Sequence, residues 1–556
     1  MSRNENGLLR RHQLKLAGLL ILGLAGAMVP AKASAQDLPP GADPSTINEE
    51  MRRRQQETRD AGTSQIDDVV TNAQSFDFYP LADTGVSFEL TAVTFDPSVF
   101  LTIQQLENIA APYIGNTVTF SDLNDIVAQV NSLYDDGGYL TARAMLRPQR
   151  IEDGQVKISL VEGVVEDVTV DGVTTYGADY VTARIKAPPG EVVDLPALEA
   201  DLLRFNRLNN AKLVADLKPG DAFGTTDIIL QLQEPKRYQL DLFVDNNGFD
   251  STGEFEGGAV GRRYSLLTDD DQLNGFVVGA GGALSGSIAY NRPIGFRGAR
   301  SGLSYVRGRT DVINGPFKAL SVEGTSDTVS VNTSLPLLFR RGRFVGTDFS
   351  ISRTAAETTV DSVKTSETKI SMAELGLNAD IVAGKTMALF RTSVVTAEAD
   401  EQLFDDRRNI TLLRGSAYLS RQLSPKVRGS LDLQWQHTAD EDLPGTLEFQ
   451  LGGANSVRAF DPGTVAGDSG YFAKLQMDRE MIRAETYSLD MFTFVDVGQV
   501  ESLFPTTQLS AAGVGARWRR GSRVTLSGTV GVPLDDGDLP EQSDVRAFVN
   551  LTVRAF

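Results

Sequence analysis

From about residue 236 to the last residue, Phe556, the chain is a series of short segments in which apolar and polar residues alternate. In one segment Leu431, Leu433 and Trp435 alternate with aspartate and glutamine. A period of two predicts β-strands, because successive side chains of a strand point to opposite faces. Glycine, aspartate, asparagine and proline separate the segments, as expected of turns. At roughly twenty residues per strand and connection, the region would hold about sixteen strands.

Two all-β architectures share this alternation. A transmembrane barrel with a wet lumen is apolar outside and polar inside, and a soluble β-sandwich alternates in the same way. The polar face here carries many charged residues, the region is long, and no other pattern interrupts it before Phe556. We therefore predict a transmembrane antiparallel β-barrel over residues 236–556, with a β-sandwich as the alternative.

Two copies of a smaller α+β unit precede the predicted barrel. In the first copy, the elements follow in the order β-α-α-β-β, and the second helix places Leu123, Ile126 and Val130 on one face. The same order then repeats over a similar length. We predict two related units, at residues 86–164 and 165–235.

The N-terminus carries an export signal. A basic start, an apolar core from Leu16 to Val29 and the small residues Ala33 to Ala35 predict a signal peptide at 1–35, with the mature chain beginning at Gln36. An uncleaved anchor helix is the alternative, but the apolar core is shorter than the roughly 20 residues that a membrane helix needs.

Residues 36–85 are polar and interrupted by prolines. Asp43 and Pro44 suit a helix cap and first turn, so we predict a helix over 44–60. This helix is polar nearly all round, which suits water or a wet channel rather than a protein core. A solvated N-terminal tail is the alternative.

Composition excludes several classes of function. The net charge of -20 argues against a phosphate-binding surface and a nucleic-acid partner. The chain has no cysteine and only two histidines, His12 and His437, which leaves few groups for metal binding or base catalysis. Residues 379–386 nearly match a phosphate-binding loop but lack its first glycine, and His437 is in phase with Trp435, as expected of an interfacial side chain. We expect no enzyme, metal site or cofactor.

The first α+β unit contains a set of spaced motif residues, which are Tyr134, Gly138, Tyr139, Pro148, Gln149, Gly154, Glu162 and Gly163. With these residues the unit resembles the POTRA (polypeptide-transport-associated) domain of the ShlB/FhaC/HecB family, the outer-membrane transporters of two-partner secretion (TpsB type). The second unit is similar in residues 217–220 and 224–227. The resemblance implies periplasmic POTRA repeats followed by the barrel, and a helix 44–60 that plugs the resting lumen.

Two further motifs of this family lie in the predicted barrel. A loop motif consists of Gly452, Gly453, Val457, Arg458 and Phe460, and a strand motif runs from Phe494 through Asp496 to Gly498. The resemblance implies that the loop folds back into the lumen, where Arg458 and Asp496 form a salt bridge, the lumen-loop lock. An ordinary structural ion pair is the alternative. Ala459 stands where the family has glycine, and alanine fits poorly if that position needs a positive φ.

The resemblance also implies the function. The POTRA domains would capture a large unfolded exoprotein by its N-terminal secretion domain and pass it through the barrel lumen across the Gram-negative outer membrane. Outer-membrane lipid and the barrel-assembly machinery would be the other partners. Phe556 supplies the family's terminal aromatic residue, although it is out of phase with the apolar stripe before it. The alternatives are a BamA/TamA-like assembly factor and a passive diffusion channel.

Overall fold

The computed structural model describes residues 70–71 and 85–556, apart from 140, 404, 503–505, 538 and 540–542. The predicted signal peptide (1–35) and the predicted helix 44–60 lie outside these residues. Within the described part of the chain, no helix is long and apolar enough to cross a membrane.

The first α+β unit packs two helices against a small sheet. Its elements and the strand before it are β1 (Val70–Thr71), β2 (Ser87–Glu89), β3 (Ala92–Phe95), α1 (Ile103–Ala110), β4 (Thr117–Thr119), α2 (Phe120–Asp136), β5 (Ala142–Met145) and β6 (Gln155–Glu162). Helix α2 begins where Thr119 and Asp122 cap each other's backbone N–H groups. Its predicted face, with Leu123, Ile126 and Val130 fully buried, packs on the sheet β3-β6-β5.

The second unit repeats this arrangement. Its elements are β7 (Val164–Asp171), α3 (Ala178–Thr182), α4 (Leu195–Leu208), β8 (Lys212–Pro219) and β9 (Thr225–Gln233). Asp194 caps α4, and Leu198, Leu202 and Phe205 of that helix form the centre of the core. The sheet order is β1-β8-β9-β7, so the short strand β1 extends this sheet by pairing parallel with β8.

Sixteen antiparallel strands close into a barrel, as the alternation predicts. They are β10 (Tyr238–Asp245), β11 (Glu256–Tyr264), β12 (Gln272–Gly279), β13 (Ala283–Ile294), β14 (Ala299–Asp311), β15 (Val322–Arg340), β16 (Arg343–Val360), β17 (Val363–Ala383), β18 (Thr386–Glu401), β19 (Asp406–Ser424), β20 (Val427–Thr438), β23 (Ser469–Arg483), β24 (Tyr487–Glu501), β25 (Thr507–Arg520), β26 (Val524–Asp535) and β27 (Arg546–Arg554). A 3₁₀ helix, Pro316–Leu320, lies between β14 and β15. The first and last strands pair to close the barrel.

The two faces of the barrel wall differ in polarity. On β15, the outward residues Val329 and Val331 are each about half exposed, whereas Ser330 and Asn332 line the interior. Exposed aliphatic stripes of this kind recur around the outer surface. Such a surface is stable only when a hydrocarbon layer covers it, which is the pattern of a membrane barrel. The barrel prediction is therefore confirmed over the β-sandwich alternative.

Candidate functional site

The connection between β20 and β23 returns into the barrel instead of forming a simple turn. It contains a small hairpin, β21 (Phe449–Leu451) and β22 (Val465–Gly467). Beyond the hairpin, Val457 and Phe460 are buried against Phe472 of the barrel wall. Residues 439–468 thus form the predicted folded-back loop, called the lumen loop below.

Two adjacent glycines shape the base of the lumen loop. Gly452 and Gly453 have φ values of +104° and +89°, a region that other residues rarely adopt. A Cβ atom on Gly452 would lie 2.1 Å from the carbonyl oxygen of Asp461. The N–H of Gly453 donates to the carbonyl of Phe460 at 2.9 Å, which closes the loop around its tip. The loop motif therefore fixes a conformation that only glycine allows at these two positions.

Arg458 at the loop tip forms a bidentate pair with Asp496 of β24. The Nε atom donates to Oδ2 and the Nη2 atom donates to Oδ1, both at 2.8 Å. The backbone N–H of Arg458 donates to the same carboxylate at 3.1 Å. The Asp496 side chain is fully buried, and that of Arg458 is 10% exposed. Two parallel bonds fix orientation as well as distance.

Two neighbours support the guanidinium group. The ring of Phe494 lies 3.7 Å from the guanidinium carbon, within the range of cation–π attraction. Gln476 of β23 accepts a hydrogen bond from Nη1 at 2.6 Å and donates to Asp478 at 3.0 Å. Gln476 was not predicted from the sequence. The alternation of β23 places its side chain on the inward face, opposite Phe494 of the neighbouring strand β24, and this pattern could have identified it.

Ala459 and Gly498 show how the loop tip fits the wall. Ala459 is not among the residues with positive φ, so the expected poor fit of alanine does not arise. The close approach is accommodated by Gly531 of β26, where a Cβ atom would lie 2.0 Å from the carbonyl of Arg458. Gly498 leaves room for Leu451, since its Cβ would lie 2.9 Å from both methyl groups of that leucine.

The lumen loop lines part of a large interior cavity of about 2200 Å³. Polar and charged groups of the barrel wall, such as Asp348, Glu374 and Arg391, line the cavity together with Arg458. Asn209, at the end of helix α4, also lines it. The cavity therefore runs from the second α+β unit to the loop tip.

Three POTRA-like motif residues form contacts inside the first unit. The hydroxyl of Tyr134 donates to Glu162 at 2.9 Å, and Glu162 also accepts from the backbone N–H of Val99 at 2.8 Å. Burial raises the pKa of Tyr134, so its hydroxyl remains a donor at neutral pH. Tyr139 stacks on Phe100 with ring centroids 3.9 Å apart. These contacts connect the loop that precedes α1 with helix α2, with the residues that follow it, and with strand β6.

The remaining motif residues hold turns and the junction between units. Gln149 donates to the carbonyl of Lys157 at 2.7 Å and accepts from its N–H at 2.8 Å, which extends the ladder on β6. Gly138 and Gly154 have positive φ. A Cβ on Gly163 would lie 2.9 Å from Thr226 in the second unit. Pro148 is exposed.

The near-match to a phosphate-binding loop and His437 both lie in the barrel wall, in strands and in a turn between two strands. Gly384 and Lys385 form the turn between β17 and β18, so no helix follows the near-match to a phosphate-binding loop. His437 on β20 pairs with Leu413, and both side chains are exposed.

Comparison with known proteins decides the family. The family model described as haemolysin secretion/activation protein ShlB/FhaC/HecB matches residues 224–519, more than half of the 556 residues. The chain belongs to this family. The model of the ShlB-type POTRA domain matches residues 88–163.

Curated relatives and solved structures agree with this membership. The chain is 23% identical over 465 residues to the heme/hemopexin transporter protein HuxB of Haemophilus influenzae (strain 86-028NP), covering 78% of this chain and 81% of the relative. It is 24% identical over 419 residues to the outer membrane transporter CdiB of Dickeya dadantii (strain 3937), covering 71% of this chain and 73% of the relative.

The fold is similar to that of CdiB from Escherichia coli, with a TM-score of 0.68 at 18% identity, over 93% of this chain and 99% of that chain. BamA from Haemophilus ducreyi lacking POTRA domains 1-3 gives a TM-score of 0.51 at 13% identity, over 84% of this chain and 100% of that chain. Both likenesses concern the fold alone.

Family membership settles the class and location of the protein. It is an outer-membrane β-barrel transporter of the TpsB type with N-terminal periplasmic POTRA domains. The first and second α+β units are therefore called POTRA 1 and POTRA 2. The POTRA end of the barrel is periplasmic, and the opposite end faces the cell exterior. Members of the family are transporters and not enzymes.

Proposed function

We propose that this protein translocates one large unfolded exoprotein, captured by the POTRA domains and passed in extended form through the barrel lumen. The observation that carries the proposal is the lumen loop, which Arg458 and Asp496 fix inside a cavity continuous with POTRA 2. Apolar packing of Val457 and Phe460 against Phe472 also holds the loop, so separation of the ion pair would remove one of the contacts that keep the loop in the lumen. Folding of the client outside the cell gives the movement its direction.

Capture uses the edges of the POTRA sheets. An extended peptide can add to a sheet edge through main-chain hydrogen bonds, whatever its side chains. The pairing of β1 with the outer edge of β8 supports this mode, because Val70 and Thr71 lie there as a parallel strand. An unfolded client would bind in the same way to a sheet edge of POTRA 1. We expect deletion of 86–164 to abolish binding of the client's N-terminal segment, and unchanged affinity would contradict this step.

Two other functions are the alternatives to secretion. An assembly factor that inserts other barrels is one alternative, since BamA has a similar fold. A passive diffusion channel is less consistent with two POTRA domains, because diffusion through a pore needs no periplasmic capture domain.

The test compares culture supernatants of wild-type cells and of a strain that lacks the gene, by intact-protein gel and mass spectrometry. Loss of one large exported protein, restored by the wild-type gene, supports the proposal and names the client. An unchanged supernatant with depletion of other outer-membrane barrels would instead support the assembly-factor function. The Arg458→Ala gene should restore the barrel in the membrane but not the exported protein.

A further inference from the structure

The first periplasmic turn of the barrel contains a fully buried carboxylate. Asp270 lies in the turn 265–271 between β11 and β12, and it has no solvent-exposed area. Its φ is +60°, a left-handed conformation that aspartate adopts more readily than most residues. A buried charge is costly unless it is paired and hydrogen-bonded, so its partners explain its presence.

Asp270 joins POTRA 2 to the barrel. Its carboxylate accepts hydrogen bonds from the hydroxyl of Tyr176 and the backbone N–H of Asn210, both at 2.7 Å. Tyr176 precedes α3 and Asn210 precedes β8, so both donors belong to POTRA 2. The third donor, the Nη1 of Arg300 at 2.5 Å, belongs to barrel strand β14. The Nη2 of Arg300 also donates to the backbone carbonyl of Asp270 at 2.7 Å.

The surrounding interface is polar and more open. Arg341 in the turn after β15 pairs with Glu199 of α4 at 2.7 Å, and the side chains are 61% and 34% exposed. The N–H of Gly177 donates to Asp269 at 3.1 Å. Exposed pairs of this kind contribute little, whereas loss of one member of a buried pair is costly.

Arg207 of α4 also pairs with Asp380 of β17, whose side chain is mostly buried. Asp270 is therefore one of two buried carboxylates that hold POTRA 2 on the barrel, and it accepts from both a side chain and a backbone N–H of that domain.

The position of POTRA 2 matters for the lumen. Asn209 and Asn210, which connect α4 to β8, line the cavity that leads to the lumen loop. A rotation of POTRA 2 would move this segment away from the cavity or across it. Strand β8, whose outer side pairs with β1, follows directly, so the same rotation would change where a client that passes along POTRA 2 meets the entrance.

We propose that Asp270 is a positioning residue that fixes POTRA 2 beneath the barrel entrance, in the orientation in which captured client passes into the lumen. This role rests on the proposed secretion function. Asp270 does not contact the client. It acts through Tyr176 and Asn210, which hold the connection between α4 and β8 at the entrance of the barrel.

The first test measures the orientation of POTRA 2 directly. The chain has no native cysteine, so Glu199→Cys with Arg341→Cys gives a single pair that a short bis-maleimide can link in outer-membrane vesicles. We expect Asp270→Ala to slow this cross-linking at least tenfold, and Asp270→Asn to slow it less because it keeps one acceptor oxygen. Glu485→Ala, an exposed acidic residue in the turn between β23 and β24, is the matched control and should leave the rate unchanged.

The second test links orientation to export. Secretion by Asp270→Ala should fall at least tenfold, and cross-linking of the cysteine pair should restore it. An unchanged cross-linking rate in both Asp270 variants would overturn the proposal, and so would full export from a variant whose POTRA 2 no longer cross-links. Heat-modifiability on gels confirms that each barrel is folded. If the wild-type protein secretes nothing, the secretion function fails, while the cross-linking rates still report whether Asp270 fixes POTRA 2.

Discussion

Removal of the Arg458 side chain is the perturbation with the most predictable effect on the lumen loop. Arg458→Ala deletes both side-chain bonds to Asp496 and leaves a fully buried carboxylate with the backbone N–H of residue 458. Loss of one partner from a buried ion pair costs about 3–5 kcal/mol. At about 1.4 kcal/mol per tenfold, the equilibrium between the docked and undocked loop should shift by roughly two to almost four powers of ten.

Docking of the loop can be measured by chemical cross-linking. The Nζ of Lys474 on β23 donates to the carbonyl of Asn455 in the loop at 2.8 Å, so cysteines at these two positions, joined by a short bis-maleimide, report the docked state. The pair should cross-link readily in the protein with Arg458 and at least a hundredfold more slowly with Arg458→Ala. Export should be lost in the same variant.

A double substitution tests whether Arg458→Ala undocks the loop because it leaves an unpaired buried charge, or because it changes the shape of the loop. Arg458→Met with Asp496→Leu removes both charges, and replacement of a buried pair by apolar residues is often neutral. This variant should recover much of the cross-linking that Arg458→Ala loses. The proposed lock is refuted if the cysteine pair cross-links as fast with Arg458→Ala as in the reference protein, because the ion pair would then contribute nothing to docking.

Three further predictions concern other parts of the chain. Removal of residues 36–62 should raise ion conductance in planar bilayers if the predicted helix plugs the lumen, and unchanged conductance would favour a solvated tail. Gly452→Ala should lower export at least tenfold, because its Cβ would meet the carbonyl of Asp461 at 2.1 Å, whereas Gly261→Ala on β11 has open space and should match wild type. Burial alone would raise the pKa of Glu234, but hydrogen bonds from Thr174 and Thr175 outweigh it and lower the pKa to about 2 from 4.5. The stability that Glu234 gives the end of POTRA 2 should therefore be complete above about pH 4.5 and fall between pH 4.5 and 2. Thermal unfolding should show this loss, and Glu234→Gln should reduce it.

Much of the architecture could be predicted because each signal is local. Lipid outside and water inside impose a period of two on every barrel strand, and neighbouring strands pair through hairpins of nearby residues. Helix α2 is marked by its cap at Thr119 and by its apolar face. By contrast, strand β1 has two residues, too few for any pattern.

Contacts between distant residues could not be predicted without the fold. Tyr176 and Asp270 are 94 positions apart, and their bond depends on how POTRA 2 sits on the barrel. Gln476 supports Arg458 only because β23 lies beside β24. The family resemblance supplied Arg458 and Asp496 as a pair, but the loop's fit also needs Gly531, which carries no motif of its own.

Passage of the client through the lumen is the central claim, and site-specific photo-cross-linking tests it most directly. A client fused to a stably folded domain should stall in the transporter. A photoreactive residue at Ser350, which lines the lumen, is compared with one at the adjacent Ile351, which is 54% exposed on the outer face. The proposed function predicts cross-links from position 350 and none from position 351. Cross-links from position 351 alone, or from neither position during active export, would contradict passage through the lumen.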